Sequence, residues 1–323
     1  MAVGGSAGPT AERRPDTDGP TVADRFRLLR SKLRPARSHV PLVCRDALLS
    51  SLSRSTADLI LVSAPAGAGK STLLGQFAEA DGRPVAWLQL DDGDNDPIVL
   101  LAYLAHAIDG VHAVDPDLFR LLQMATPPVD ELILPVLEDA LLKAPPFLFV
   151  LDDAHLVANE ESWRLITFLA DRMAERRQLL LGSRIDPPLP LARLHAAGRV
   201  TEYRMVDLAM SRDEAARLLE LHGFDGDGEL LDELLRRTEG WVTGLCLAVL
   251  AGEGRPPGEV VATISGDRRE IAAYLTGEVL EHQSARVQRF LLRTSVLDSL
   301  SRCATAHSTH RPRPSGPSAW PAT

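Results

Sequence analysis

A run of small residues that ends in lysine and serine constrains the fold of this chain more than any other feature. Residues 64–71 read Ala-Pro-Ala-Gly-Ala-Gly-Lys-Ser, after the apolar segment 59–63 and before a helical pattern that starts at Thr72. Strand, loop and helix in this order are the context that a phosphate-binding loop requires. A glycine-rich turn of no special function would leave the consecutive Gly69, Lys70 and Ser71 unexplained. The sequence therefore predicts a phosphate-binding loop here.

The residue types of this loop suit a nucleotide with Mg²⁺. Small residues let successive backbone N–H groups curl around phosphate oxygens, and the start of the next helix adds partial positive charge. Lys70 can reach the β- and γ-phosphates, and the Ser71 hydroxyl can ligate Mg²⁺. The usual pattern starts with glycine where this chain has Ala64, which is also small. The predicted nucleotide contacts in the loop are Ala64, Gly67, Ala68, Gly69, Lys70, Ser71 and Thr72.

A second motif supplies two carboxylates after an apolar strand. Residues 147–151 are followed by Asp152 and Asp153. In a P-loop protein the first carboxylate at such a strand end holds the Mg²⁺ shell, so we assign Asp152 to the metal. Asp153 stands where many related ATPases carry the glutamate that orients the attacking water. Because aspartate is one methylene shorter, we expect slow turnover at most. Asp153 is also a candidate helix N-cap for the segment that follows, and the two roles are compatible.

A third polar pair, Ser183 and Arg184, follows the apolar segment 179–182. Ligands of open α/β sheets bind beyond the carboxyl ends of the strands, so Arg184 is a candidate sensor of the γ-phosphate. A surface arginine that caps a strand end is the competing interpretation. The acidic run Asp91–Pro97 lacks the distant glutamate of an EF-hand, so it predicts a solvated turn in which Asn95 or Asp96 caps the next helix.

Strand and helix patterns alternate up to residue 207, which predicts βαβ units and a parallel sheet with helices on both faces. The predicted strands are 59–63, 85–90, 147–151, 178–182 and 200–205, with helices near 71–80, 97–109, 130–142, 160–174 and 190–196. Beyond residue 208 only helices are predicted, near 229–237, 241–251, 268–282 and 284–293. Ser211 and Glu214 form a capping box that opens the first helix of this region.

Charge and cysteine content exclude several classes. The formal net charge of −9 argues against a surface dominated by nucleic-acid binding. The three cysteines, Cys44, Cys246 and Cys303, give no disulfide framework or metal spacing, and the first two are predicted to be buried. No signal pattern or membrane-length apolar stretch occurs, so we expect a cytoplasmic protein without membrane partners.

Together these segments resemble the N-terminal half of the large ATP-binding LuxR-type transcriptional regulators, the MalT-like group of the STAND class of P-loop ATPases. The Asp91–Pro97 run and the Thr238-Glu239-Gly240-Trp241 motif are more specific to this group than the phosphate loop is. The matching stretches are Leu29–Pro35, Leu42–Arg45, Ser63–Leu74, Trp87–Pro97, Val150–Leu156, Ser183–Leu194, Arg237–Leu245 and Gln288–Leu297.

The resemblance implies an ATP/ADP switch, in which ADP holds a closed form and ATP with an inducer favours self-association. It implies that Val43 and Arg45 line the adenine side, that Arg184 is the strand-end sensor, and that the helical region packs over the nucleotide. The predicted organisation is a disordered lead (1–25), an α/β P-loop NTPase domain (26–207), a helical domain (208–265), a truncated winged-helix region (266–300) and a disordered tail (301–323).

Family members continue into a complete winged-helix domain, helical repeats and a DNA-binding helix-turn-helix, and the match here stops near Leu300. We therefore expect a switch module without the inducer-binding repeats or the DNA-binding domain. The alternative function is a freestanding P-loop ATPase or kinase that acts on a separate substrate. The sequence leaves the inducer and the regulated genes open.

Overall fold

The computed structural model of the protein describes residues 28–36, 42–174, 177–224, 228–252, 274–280 and 284–295. The chain divides into two compact units, residues 1–264 and 265–323. The predicted lead and tail, and most of the predicted helix 268–282, lie outside the described residues.

The core of the first unit is a five-stranded parallel sheet. Its strands are β1 (Leu59–Ser63), β2 (Val85–Gln89), β3 (Leu148–Asp152), β4 (Gln178–Ser183) and β5 (Val200–Tyr203). Their order across the sheet is β2-β3-β4-β1-β5, and every paired neighbour runs parallel. The predicted parallel α/β sheet is confirmed, and β4 lies between the strand that leads into the loop and the strand that ends in Asp152.

Helices surround this sheet and continue after it. They are α1 (Asp46–Arg54), α2 (Lys70–Asp81), α3 (Pro97–Asp109), α4 (Pro116–Leu122), α5 (Leu134–Lys143), α6 (Glu160–Arg172), α7 (Leu191–Ala196), α8 (Met205–Leu208), α9 (Arg212–Leu221), α10 (Gly228–Thr238) and α11 (Val242–Gly252). Short 3-10 turns cover Arg30–Leu33, Asp92–Asn95 and Ala154–Leu156, and a π-turn covers Val129–Ile133.

The sheet is buried on both faces because strands β1 to β4 are apolar at consecutive positions, whereas the edge strand β5 carries Thr201 and Glu202 in its middle. Leu59 and Leu61 pack into one core cluster with α3, α5 and α6, whereas Ile60 and Val62 pack into a second cluster with α1 and α2. Alternate residues of a strand point to opposite faces, so one short apolar run serves both clusters. Helices therefore cover both faces, as predicted.

The structure differs from the sequence analysis at three places: a strand end, a helix that was not predicted and the exposure of a cysteine. The strand predicted for 200–205 ends at Tyr203, because the Asp207 carboxylate accepts a hydrogen bond from the Arg204 N–H (2.7 Å) and starts the turn α8. Helix α4 was not predicted, although Asp115 caps it and Pro116 opens it. Cys44 was predicted to be buried and is exposed, with its thiol donating to an Asp46 carboxylate oxygen at 3.0 Å.

The helical region of the first unit, α9 to α11, has its own apolar cluster built on Leu218, Leu231, Leu234 and Leu245. Its start is fixed by the predicted capping box. The Ser211 N–H donates to Glu214 Oε2 at 2.9 Å, and the Glu214 N–H donates to Ser211 Oγ at 3.3 Å. The capping box is thus confirmed.

The second unit contains a π-turn, Leu275–Leu280, and a helix, α12 (Ala285–Thr294). Ser284 caps α12 by accepting a hydrogen bond from the Val287 N–H at 3.4 Å. A winged-helix fold for this unit stays a prediction.

Candidate functional site

The loop between β1 and α2 owes its shape to two glycines. Gly67 and Gly69 have φ angles of 72° and 84°, in the left-handed region that residues with a side chain rarely adopt. Gly69 is also the residue directly before α2, so the chain turns sharply from the strand end into the helix. The backbone therefore has the conformation that a cradle of N–H groups needs.

Lys70, the first residue of α2, folds back over this loop. Its ammonium group donates to the carbonyl oxygens of Ala64 (2.8 Å) and Pro65 (3.0 Å). Burial lowers the pKa of Lys70, while the charges of Asp152 and Asp153 oppose that shift. The cation is thus held at the loop with carboxylates close by.

Asp152 is the most enclosed carboxylate of the site. It is 0% exposed; Oδ1 accepts a hydrogen bond from the Asp153 N–H at 2.9 Å, and Oδ2 has no hydrogen-bond partner among the described residues. Burial raises the pKa of its carboxyl, and the neighbouring Ser71 hydroxyl and Lys70 charge lower it by less. A buried oxygen without a partner beside a serine hydroxyl fits a Mg²⁺ ion, which prefers oxygen ligands.

Gly182 makes room for that carboxylate. A Cβ atom at Gly182, on the neighbouring strand β4, would lie 2.4 Å from Asp152 Oδ1 and 2.9 Å from Leu74 Cδ1. The sequence analysis did not single out this glycine. Its signal was a lone glycine directly after three leucines of a strand, because a glycine in a strand often marks the close approach of another group.

Asp153 has a left-handed backbone, with φ 57°. Its carboxylate accepts a hydrogen bond from Gln89 Nε2 (2.5 Å), and Oδ1 lies 3.8 Å from His155 Nδ1. Asp153 stands at the N-cap position of the turn Ala154–Leu156, as predicted, but its side chain makes no capping hydrogen bond to that turn. Gln89, at the end of β2, is a neighbour that the sequence analysis did not name.

Arg184 follows β4 and is half-buried. Its charge contributes to the lowered pKa of Lys70, so the two cations share one electrostatic environment. This position agrees with both interpretations of Arg184, and its role as a phosphate sensor stays a prediction.

Two cavities flank the loop. One, of about 850 Å³, is lined by Ser71, Gln89 and Asp152 on the phosphate side. The other, of about 110 Å³, lies between the loop and the helical region; its lining comprises Leu42, Val43, Arg45, Gly69, Thr72, Met210, Leu218, His222, Val242, Cys246 and Leu250. This second cavity is mostly apolar, as expected for a pocket that holds a nucleobase.

Val43 and Arg45 both line the smaller cavity, on the side where adenine was predicted. The Arg45 guanidinium, however, is engaged elsewhere. It pairs with Glu214 Oε1 at 2.9 Å and donates to the carbonyl oxygens of Leu208 (2.9 Å) and Ala209 (3.2 Å). Arg45 therefore ties the capping box of α9 to the NTPase core.

The Thr238–Trp241 motif connects the helical region to the phosphate loop. Trp241 Nε1 donates to the Ala66 carbonyl oxygen at 3.2 Å. Both the N–H and the hydroxyl of Thr243 donate to the Gly67 carbonyl oxygen, at 3.1 and 3.0 Å. Gly240, with φ 75°, permits a close approach, because a Cβ atom there would lie 2.9 Å from the Met210 backbone.

The acidic run after β2 is only partly the solvated turn that was predicted. Asp96 caps α3 as expected, with its carboxylate accepting from the Ile98 N–H. Asp94, however, is fully buried and pairs with Lys32 at 2.6 Å, while Asp91 Oδ1 lies 2.9 Å from the same ammonium. Two of the stretches that carry the family resemblance, Leu29–Pro35 and Asp91–Pro97, thus meet in one buried ion pair.

Comparisons with known proteins agree with this geometry. The AAA ATPase domain family matches residues 41–181. The HTH-type transcriptional regulator MalT of Serratia proteamaculans (strain 568) is 33% identical over 289 residues, and MalT of Yersinia enterocolitica is 32% identical over 290 residues; each match covers 85% of this chain and 31% of the relative. The Walker-type ATPase of Pyrococcus abyssi has a similar fold (TM-score 0.50, 13% identity, 79% of this chain and 80% of that chain).

Residues 41–181 therefore match the AAA ATPase domain family, and the fold is of the P-loop ATPase type. The resemblance to the MalT-like regulators is confirmed over most of the chain, which spans about a third of the length of these relatives. No helix in the described ranges is long and apolar enough to cross a membrane.

Proposed function

We propose that this chain is the nucleotide-dependent switch module of a MalT-like transcriptional regulator, with ADP and ATP as its ligands. The observation that carries the proposal is the hydrogen bonding of Trp241 and Thr243 to carbonyl oxygens of the phosphate loop. A nucleotide that rearranges these carbonyls changes the contacts of the helical region. Differential contact of this kind is what a nucleotide needs in order to shift a conformational equilibrium.

The nucleotide would be held by the loop residues from Ala64 to Thr72, with the base in the cavity lined by Val43 and Arg45. Ser71 and Asp152 would hold Mg²⁺, which would neutralise charge on the phosphates and orient them. Lys70 would exchange the carbonyl oxygens of Ala64 and Pro65 for phosphate oxygens. The loop then loses two internal hydrogen bonds when the ligand binds, so its conformation depends on the ligand.

Hydrolysis would be slow. Asp153 would orient the attacking water, and its carboxylate already accepts a hydrogen bond from Gln89 at 2.5 Å. Arg184 would sense the γ-phosphate from the end of β4. A slow reaction keeps the ATP form populated long enough for self-association, and return to the ADP form would end it.

The test combines binding, turnover and assembly. Wild type, Lys70→Ala and the control Lys143→Ala are purified, and bound nucleotide is extracted and identified; Lys143 is an exposed lysine on α5. We expect nucleotide in wild type and in the control and none in Lys70→Ala. Turnover should lie well below the median enzyme rate of about 10 s⁻¹, and sedimentation should show more self-association with ATP than with ADP.

Absence of any ADP or ATP affinity in wild type would overturn the proposal. Turnover near 10 s⁻¹ without nucleotide-dependent assembly would instead favour a freestanding ATPase.

A further inference from the structure

The imidazole of His222 lines the smaller cavity, and a neighbouring backbone group determines which of its two nitrogens carries the proton. Most of the cavity lining is apolar, and the Arg45 guanidinium is used by Glu214 and two carbonyl oxygens. The Val43 carbonyl oxygen is also used, since Gln76 Nε2 donates to it at 2.8 Å. His222 also lines the cavity, one residue beyond the end of α9.

The tautomer of His222 follows from its neighbour. Its Nδ1 atom lies 3.0 Å from the Leu218 carbonyl oxygen. A carbonyl oxygen only accepts, so Nδ1 must carry the proton. In a neutral imidazole the other nitrogen, Nε2, is then an acceptor. The helix end thereby makes Nε2 of a neutral His222, a residue that lines the cavity, a hydrogen-bond acceptor.

We infer that His222 sets the base specificity of this site by accepting a hydrogen bond from an exocyclic amino group. Adenine carries such a donor at position 6, whereas guanine and hypoxanthine carry a carbonyl oxygen there. A 6-oxo base would place two acceptors face to face in an apolar cavity. The site therefore prefers 6-aminopurine nucleotides, and His222 is its specificity-determining residue. This inference rests on the proposed function.

The size of the preference follows from the cost of an unpaired acceptor. A lost hydrogen bond with incomplete desolvation corresponds to about tenfold in affinity. His222 is only half-buried, so the lower end of the range of such penalties applies. We therefore expect ADP to bind about tenfold more tightly than IDP, which carries the same ribose and phosphates.

The experiment is calorimetric titration of ADP and IDP into wild type, His222→Gln, His222→Phe and the control His195→Phe. The glutamine amide offers both a donor and an acceptor, so His222→Gln should bind both nucleotides and lose the preference. His222→Phe keeps an aromatic ring without nitrogen, and its preference should fall to about twofold. His195 lies on α7 and pairs with Glu202, outside the cavity lining, so its variant should keep the wild-type ratio.

The outcomes distinguish a failure of the role of His222 from a failure of the proposed function. Equal affinity of wild type for ADP and IDP, or a tenfold preference that survives in His222→Gln, overturns the role of His222. Failure of wild type to bind either nucleotide overturns the proposed function itself. Because the readout is a ratio of two ligands on one protein, a variant that is partly unfolded still reports the preference of its folded fraction.

Discussion

Asp152 packs so closely against β4 that position 182 has room for the hydrogen atom of glycine but not for a Cβ atom. A methyl group there would overlap the carboxylate and the Leu74 side chain, at 2.4 and 2.9 Å. Both neighbours are fully buried, so neither has a free direction in which to move. The position of the predicted magnesium ligand thus depends on a residue from another strand.

The variant Gly182→Ala should therefore lose stability and magnesium-dependent binding together. Overpacking of this kind costs about 1–3 kcal/mol, to be measured by urea unfolding. The matched control is Gly75→Ala in α2, where the nearest atom to a new Cβ is Pro35 Cβ at 4.0 Å. That change should raise stability by about 0.5–1 kcal/mol, because alanine favours a helix over glycine. Equal behaviour of the two variants would refute the role of Gly182.

A second pair of residues that depend on each other is the ion pair of Lys32 and Asp94, whose side chains are 8% and 0% exposed. The Lys32 ammonium also lies 4.2 Å from the centre of the Tyr103 ring. Burial raises the pKa of the Asp94 carboxyl, and the hydrogen bond from Lys32 is the largest influence that lowers it. Without Lys32 the carboxylate would be buried without its main partner.

We expect Lys32→Met to destabilise the protein by about 3–5 kcal/mol at pH 8. Since the pKa of Asp94 is raised in the folded state, the folded protein binds the proton more tightly than the unfolded chain does. Stability is then lost as pH rises through that pKa, so the deficit of the variant should shrink as pH falls through it. Urea unfolding across this pH range measures it, and Lys32→Met/Asp94→Leu should remove the pH dependence. A deficit that grows on acidification would contradict the argument.

At the scale of elements, the helical region and the phosphate loop share hydrogen bonds that bridge more than 170 residues of sequence. The Thr243 hydroxyl bonds to the Gly67 carbonyl oxygen at the point where the loop turns. Because the same loop is the predicted phosphate cradle, a contact made from α11 bears on nucleotide affinity.

Thr243→Val should weaken ADP binding by about fivefold, the equivalent of one hydrogen bond of about 1 kcal/mol. The control Thr167→Val removes a hydroxyl that donates to the Trp163 carbonyl oxygen at 2.8 Å within α6. It should leave ADP affinity unchanged, although it too removes one hydrogen bond from a threonine hydroxyl to a carbonyl oxygen. Equal ADP affinity of Thr243→Val and wild type, in calorimetric titration, would show that the contact has no influence on the site.

Elements were predictable from sequence where the signal is local. The strands 59–63 and 178–182 are apolar runs bounded by turn residues, and each lies within one residue of its predicted limits. Strand order was not predicted, because it depends on which strands pair across the sheet. The same holds for Gln89 beside Asp153 and for Lys32 beside Asp94, since 62 or more residues separate each pair. Motif composition identified candidate residues, and only the fold reveals their partners.

The NTPase core and the helical region belong to one of the two compact units of the molecule, residues 1–264. Arg45, which lines the smaller cavity, pairs with Glu214 of α9, and Thr243 of α11 donates hydrogen bonds to the loop. A nucleotide bound in this cavity and on the loop would add contacts to both regions at once. Its binding energy should therefore stabilise the unit as a whole.

Nucleotide binding should stabilise the NTPase core and the helical region together. ADP at 100 times its Kd should add about 2.7 kcal/mol to the stability of the first unit and raise its Tm by about 5–10 °C. Lys70→Ala should lose the shift, whereas the exposed-lysine control Lys143→Ala should keep it. Hydrogen exchange should slow in α9 to α11 as well as in the loop, because a ligand that joins the two regions suppresses their separate opening. Protection confined to residues 64–72, with the helical region unchanged, would contradict the switch and leave simple nucleotide binding.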